Sequence, residues 1–321
     1  MELGVTFNGR APLADILPVA QAAEKKGFKY AWVAEHLGYF DAFALAGGLL
    51  EGTQTLNVGA GVLSPYVRHP ITIAMGAATL ANRFKSRVAI SLGTGNPDDL
   101  HPLNIEMKLP IGVCGEALDL VRGWLTEGCP SFSGEHFFNE GQPLHVKPDV
   151  FVPLYLAAVR DGMLGLGGRK ADGLSLSAAA SPDYVRHAVT LARTAAADAG
   201  RDSANLSVAC NVILALAPSK KEGLRRAKLE LARILLGGHD YLFQYQPAQV
   251  EKEAVRQAAR NGAADDLNHA MPDEAADALA VCGTPADVKA ALARYADAGV
   301  TLALLRLAGT VEQQLQSLSQ L

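Results

Sequence analysis

His36 closes the run YAWVAEH, with Glu35 beside it. A histidine can carry a proton near neutral pH, and an adjacent carboxylate can orient its ring, so the pair is a candidate acid–base centre. The plain alternative is a strand-end histidine that caps backbone. A second group lies in GAGVLSPYVRHP, where Gly61, Val62 and Ser64 precede Arg68 and His69. Arg68 reads as a loop anchor and His69 as the residue before the helix-opening Pro70. A third group is Gly93-Thr94-Gly95-Asn96, and a fourth places Arg160 and Gly162 at the start of a helix, where free N–H groups suit a phosphate. Arg306 is an isolated charge in the apolar run VTLALLRLAG; it either binds an anionic substrate group or pairs with an acid. Paired carboxylates and metal-type His/Asp clusters are missing from this set, so no metal is expected.

These residues share one property: each sits where an apolar run ends. Eight such runs predict strands, beginning with LGVTFN, KYAWVAEH, TLNVGAGVL and SRVAISLGTG, and continuing with VPLYLAAV, DGLSLSA, LSVACNVILALA and VTLALLRLAG. Helical spacing of apolar residues fills the intervals. Nearly continuous apolar runs are those of parallel strands buried on both faces. Eight strand–helix units predict a (β/α)8 barrel. The alternative is an open doubly wound sheet, but the first turn, Asn8-Gly9-Arg10-Ala11-Pro12, lacks the G-x-G-x-x-G of that fold. The chain reads as one domain with insertions at about 96–114, 131–150 and 219–282, the last a long helical stretch. A barrel gathers its chemistry at the C-terminal strand ends, which explains the shared position. The fifth and sixth ends add Ala157, Ala158, Ser177 and Ala178. Such small residues leave room for a flat ligand against the backbone. GLGGRK at Gly165–Lys170 follows a helix start, so it reads as close helix packing, and Asn211 reads as a polar residue facing the barrel interior. KKEGLRRAK and EKEAVRQAAR read as solvated helix faces.

Composition narrows the classes. The chain has 321 residues, is 49% hydrophobic and carries 29 basic against 33 acidic residues, a net charge of -4. No basic stripe suggests nucleic acid, and no apolar run is long enough to span a bilayer. Four cysteines without a C-x-x-C pair fit free thiols in a reducing cytosol, and the N-terminus lacks the pattern of a signal peptide, so a cytoplasmic protein is expected.

YAWVAEH, GAGVLSPYVRHPITIAMGAATL, RVAISLGTGNP and CGTPADVKAALARYADAGVTLALL, in this order, resemble the luciferase-like family of flavin- and deazaflavin-dependent barrel oxidoreductases. The similarity is weakest over Leu100–Val150 and Lys220–Ala280, and Gly59–Pro70 is most similar to the deazaflavin branch. The resemblance implies two-electron transfer between a reduced deazaflavin or FMN and a small organic substrate, with or without oxygen. It implies a ring over the ends of strands two to four, a cis peptide at Gly61-Val62, ring contact by Thr94, Gly95 and Asn96, and a catalytic or ring-contacting His36. Relatives carry a Gly-Pro-Lys-like turn where this chain has Arg160-Asp161-Gly162, with Asp161 a candidate N-cap. Two other classes stay open: a non-catalytic flavin-binding barrel, and a barrel lyase or isomerase holding a phosphorylated sugar on Arg160.

The second and third helices, FDAFALAGGLLEG and PITIAMGAATLANRF, lack a charged outer face over most of their length. A barrel covers one side of each, so a homodimer through these helices is expected. The alternative cover is the 219–282 insertion.

Overall fold

The computed structural model describes residues 1–236, 245, 248–261 and 264–321. Eight parallel strands close into a barrel: β1 (Glu2–Phe7), β2 (Tyr30–Val33), β3 (Asn57–Leu63), β4 (Val88–Leu92), β5 (Leu154–Ala157), β6 (Gly173–Leu176), β7 (Ser207–Leu216) and β8 (Leu302–Leu307). The strand order is β7-β8-β1-β2-β3-β4-β5-β6, and β6 pairs with β7 to close the ring. The outer helices are α1 (Leu13–Lys25), α2 (Ala42–Gly52), α3 (Pro70–Phe84), α4 (Pro110–Thr126), α5 (Asp161–Lys170), α6 (Pro182–Asp198), α7 (Lys220–Leu236), α8 (Pro285–Asp297) and α9 (Val311–Gln320).

Helix starts follow their caps. The side chains of Asp41, Ser181, Thr284 and Thr310 accept from the first-turn N–H groups of α2, α6, α8 and α9, and Pro70, Pro110, Pro182 and Pro285 stand where a missing N–H costs nothing. The main core lies between strands and helices and includes Val5, Leu49, Ile73, Ile90, Trp124 and Tyr184. Inside the barrel a second cluster joins Trp32, Ala89, Tyr155, Ala209, Leu302 and Leu304, with the Trp32 and Tyr155 rings 5.3 Å apart and nearly perpendicular. Gly59 makes this possible: a Cβ there would lie 2.1 Å from the Trp32 ring. Asn211 donates to the Leu176 carbonyl at 3.0 Å, a satisfied polar residue on β7.

The structure adds detail to the sequence expectations at four places. Helix α4 begins at Pro110, so the first insertion is shorter than 96–114; it carries a short helix, Pro97–Leu100. The 219–282 stretch is α7 followed by three helices, Lys252–Asn261, Ala264–Ala270 and Asp273–Leu279, then a strand, Val281–Gly283, paired with the end of β7. Residues 237–244, 246–247 and 262–263 of that stretch lie outside the described residues. The third is α9, about which the sequence reading says nothing. Finally, KKEGLRRAK is not wholly solvated: Lys228 is buried and paired with Asp273.

Candidate active site at the strand ends

β2 ends at Val33, and the chain carries Ala34, Glu35 and His36 over the rim. The β1 loop runs against it. Gly9 has φ +70, and a Cβ there would lie 2.1 Å from the Ala34 carbonyl oxygen, so glycine is what lets the two loops touch. This contact brings Arg10 toward His36. The His36 Nδ1 atom is buried without a hydrogen-bond partner, and Asp99 Oδ2 stands 3.5 Å from it. That spacing exceeds a formed hydrogen bond but places a carboxylate where a positive ring would be stabilised. Asp99 comes from the short helix Pro97–Leu100, where the Asn96 side chain accepts from Asp98 N at 3.1 Å. Burial and then Arg10 push the His36 pKa below its ordinary value, with Asp99 opposing and Arg306 assisting. The shift favours the neutral ring, the form able to accept a proton.

Glu35 does not face His36. Arg68 Nε donates to both of its oxygens, at 3.1 and 2.9 Å, and Arg68 Nη2 bridges Glu35 and Asp41. Glu35 thus ties the β2 end to the β3 loop and the start of α2, and the carboxylate beside His36 is that of Asp99. The anchor expected of Arg68 is present, on two acids instead of a helix C-terminus. His69 caps α3, its Nδ1 accepting from Ile71 N at 3.4 Å, and packs edge-on against Phe137.

The third and fourth strand ends form a tightly packed floor of small residues. The Gly61-Val62 peptide is cis. The Gly61 carbonyl accepts from Trp32 Nε1 at 3.1 Å, and a Cβ on Gly61 would lie 2.3 Å from the Ser91 carbonyl oxygen. A Cβ on Gly93 would meet Val62 at 2.6 Å and Ala157 at 2.9 Å. Ser64 donates to the Thr94 carbonyl at 2.8 Å, locking the β3 and β4 loops together, with Gly95 turning at φ +77. Thr94 donates to the Gly95 carbonyl at 3.2 Å. Ala157 and Ala158 continue the floor on β5, with Ala158 N donating to the Ser175 carbonyl at 3.3 Å, and Ser177 and Ala178 follow β6. These small residues gather at adjoining strand ends, with His36 on the next one.

The proposed phosphate end is less direct. Arg160 occupies the N-cap position of α5, so Asp161 is the first helical residue, and its Oδ1 lies 2.8 Å from His187 Nε2. A Cβ on Gly162 would meet Ile111 at 2.6 Å, which gives that glycine a packing role against the start of α4. Gly168 packs on α6, where a Cβ would lie 2.0 Å from the Ala192 carbonyl oxygen, in keeping with the packing expected of GLGGRK. Arg306 sits at the end of β8 with Nη2 3.7 Å from Glu230 Oε2 of α7. Among the described residues there is no group of acidic, histidine and cysteine side chains fit for a metal ion.

Sequence reading missed Arg10, Asp99 and Glu230. Arg10 follows the Gly9 turn after β1, and the strand-end rule could have found it. Asp99 and Glu230 come from the insertions, which no periodicity connects to the rim.

A family model described as luciferase-like monooxygenase matches residues 1–302. A 5,10-methylenetetrahydromethanopterin reductase of Methanolobus tindarius is 27% identical over 303 residues, 94% of this chain and 92% of that protein. The fold superposes on the coenzyme F420-dependent tetrahydromethanopterin reductase of Methanopyrus kandleri with a TM-score of 0.87 at 20% identity, covering 100% and 98% of the two chains. It superposes on an F420-dependent secondary alcohol dehydrogenase bound to an F420–acetone adduct with a TM-score of 0.80 at 20% identity, again over 100% and 98%.

Proposed function

The chain belongs to the luciferase-like monooxygenase family, and from that membership we propose that it is an oxidoreductase working with a deazaflavin coenzyme of the F420 type. FMN is the alternative cofactor. The observation that carries the reading is the pairing of a closely packed floor of small residues, from Gly61 to Ala158, with a half-buried histidine whose pKa burial and Arg10 lower, at the adjoining strand end. A bound deazaflavin supplies a two-electron acceptor or donor of hydride. The floor residues Gly61, Val62, Thr94, Gly95, Ala157 and Ala158 would hold its ring. Arg160, with the α5 N-terminus, Ser177 and Ala178, would hold its phosphate end.

His36 handles the proton. With Nδ1 turned to Asp99, Nε2 is the ring nitrogen left to exchange a proton with the substrate oxygen. In the oxidising direction Nε2 would accept the hydroxyl proton as hydride passes from the carbon to the coenzyme, and in the reducing direction His36 would return the proton. Asp99 stabilises the imidazolium as it forms. Arg68, through Glu35, fixes the backbone from which His36 projects.

The physiological unit we propose is a homodimer in the cytosol. The outer faces of α2 and α3 carry exposed Ala44, Met75, Thr72 and Thr79, with Phe40 beside them. The described helices of the 219–282 insertion pack on β7, on Val281–Gly283 and on each other, across the ring from β2 and β3. This placement of the described helices favours a second copy of the α2–α3 face as the cover.

His36→Gln tests the reading. Turnover should fall about 10²-fold or more while deazaflavin affinity stays within a factor of about two. Unchanged turnover would reduce His36 to a backbone cap.

A further inference from the structure

We propose that the substrate is an anion, a hydroxyl or carbonyl compound bearing a carboxylate or phosphate ester, and that Arg306 and Arg10 grip this group beside His36. The inference rests on the oxidoreductase reading and adds the substrate's class.

The barrel order fixes the placement. β8, β1 and β2 are neighbours, paired through Val5 with Leu305 and through Phe7 with Val33. Their C-terminal ends carry Arg306, Arg10 and His36. Arg306 interrupts a strand whose other residues are all buried, and its side chain is 30% exposed, so its guanidinium is partly removed from water. Removing a charge from water is costly unless an anion meets it. The carboxylate that approaches is Glu230, and it does so incompletely: Oε2 stays 3.7 Å from Arg306, while Oε1 is held by Arg233 on the same helix. Among the described residues the Arg306 guanidinium, with five N–H donors to offer, makes no hydrogen bond. Arg10 lies over the Tyr39 ring at 5.0 Å and pairs with no carboxylate among the described residues. The mouth therefore gathers the guanidiniums of Arg306, Arg10 and Arg233 against the carboxylates of Glu230 and Asp99. Both Arg10 and Arg306 depress the His36 pKa, so each is near enough to feel a charge at that ring. A carboxylate or phosphate accepts from guanidinium forks in pairs. Bound between Arg306 and Arg10, it would place a neighbouring hydroxyl or carbonyl within reach of His36.

The test uses the full-length protein without cofactor and inorganic phosphate as the probe. The ring signals of His36 are titrated by NMR with and without about 50 mM phosphate. Phosphate between the two arginines offsets the cations that assist burial in lowering the ring's pKa, so the His36 pKa should rise by about half a unit or more. The rise should be absent in Arg306→Met. If that variant does not fold, Arg10→Met, on the exposed loop, gives the same readout. A His36 titration unmoved by phosphate, or moved equally in the variant, overturns the proposal. A second arm adds the deazaflavin coenzyme, whose own anionic groups could claim the arginines. The phosphate-induced rise should persist with the coenzyme bound, and its loss would assign the arginines to the cofactor and overturn the proposal. Because the first arm needs no cofactor, failure to bind a deazaflavin would sink the oxidoreductase reading without obscuring the anion result.

Discussion

Arg68→Met should destabilise the protein by about 3 kcal/mol, the lower end for breaking a mostly buried ion pair. The Glu35 side chain is only 7% exposed, while the Arg68 side chain is 25% exposed. Removing Arg68 leaves a nearly enclosed carboxylate with its two Nε contacts and its Nη2 contact gone. It also frees Asp41, whose Oδ1 still caps Ala44 N at 2.9 Å, so α2 keeps its start. Some exposure of Arg68 admits water to the vacated space and limits the loss. For a chain of 321 residues, 3 kcal/mol corresponds to a fall in Tm of roughly 4–5 °C. Glu35→Gln alone should cost less, about 1–2 kcal/mol, because Arg68 keeps Asp41 and accessible solvent. The double variant should be less destabilised than the sum by at least about 1 kcal/mol, as expected of residues in one network. Urea denaturation of the three variants measures this cycle. Additivity within about 0.5 kcal/mol, or an Arg68→Met cost below about 1 kcal/mol, would refute the anchoring argument and return Glu35 to direct duty at His36.

Three further outcomes follow from the same geometry. Gly61→Ala forces a Cβ to 2.3 Å from a backbone oxygen that cannot step aside, so it should lose about 2–3 kcal/mol of stability and weaken cofactor binding; a neutral effect in thermal melts would contradict the floor. The folded pKa of His36 is depressed, so stability tied to its neutral ring is fully present above about 6.5 and is lost as pH falls toward the folded value, because the unfolded chain takes the proton first. His36→Gln should flatten that part of the pH–stability curve, and an unchanged slope would mean the ring is not depressed. Light scattering at micromolar concentration should give twice 33.8 kDa, and Gly47→Arg should yield the single chain; a wild-type species of 33.8 kDa rules out the α2–α3 interface.

The barrel was legible because its strands bury both faces and its helices start on recognisable caps. KYAWVAEH and SRVAISLGTG announce strands with their small, polar exits, and Thr284-Pro285 announces α8. The wider groupings at the site were legible for the same reason, since strand ends converge in any closed barrel. Pairings between elements were not. Glu35 stands next to His36 in sequence, yet it turns to Arg68, 33 positions away, because the bidentate guanidinium satisfies an enclosed carboxylate better than a neutral ring does. Asp99 reaches the rim from a single helical turn, too short to show a period, and Glu230 from α7, whose helical period says nothing of which strand end it overhangs. Lys228 looks like a surface charge in KKEGLRRAK, and only the fold of the following helices places Asp273 over it.

The central claim is a deazaflavin laid on the Gly61–Ala158 floor. Titrating the cofactor-free protein with the F420-type deazaflavin and, separately, with FMN, followed by fluorescence, tests it most directly. The account predicts that the deazaflavin binds at least about tenfold more tightly, a difference of about 1.4 kcal/mol. FMN binding as tightly or more tightly, or neither ligand binding, would contradict it.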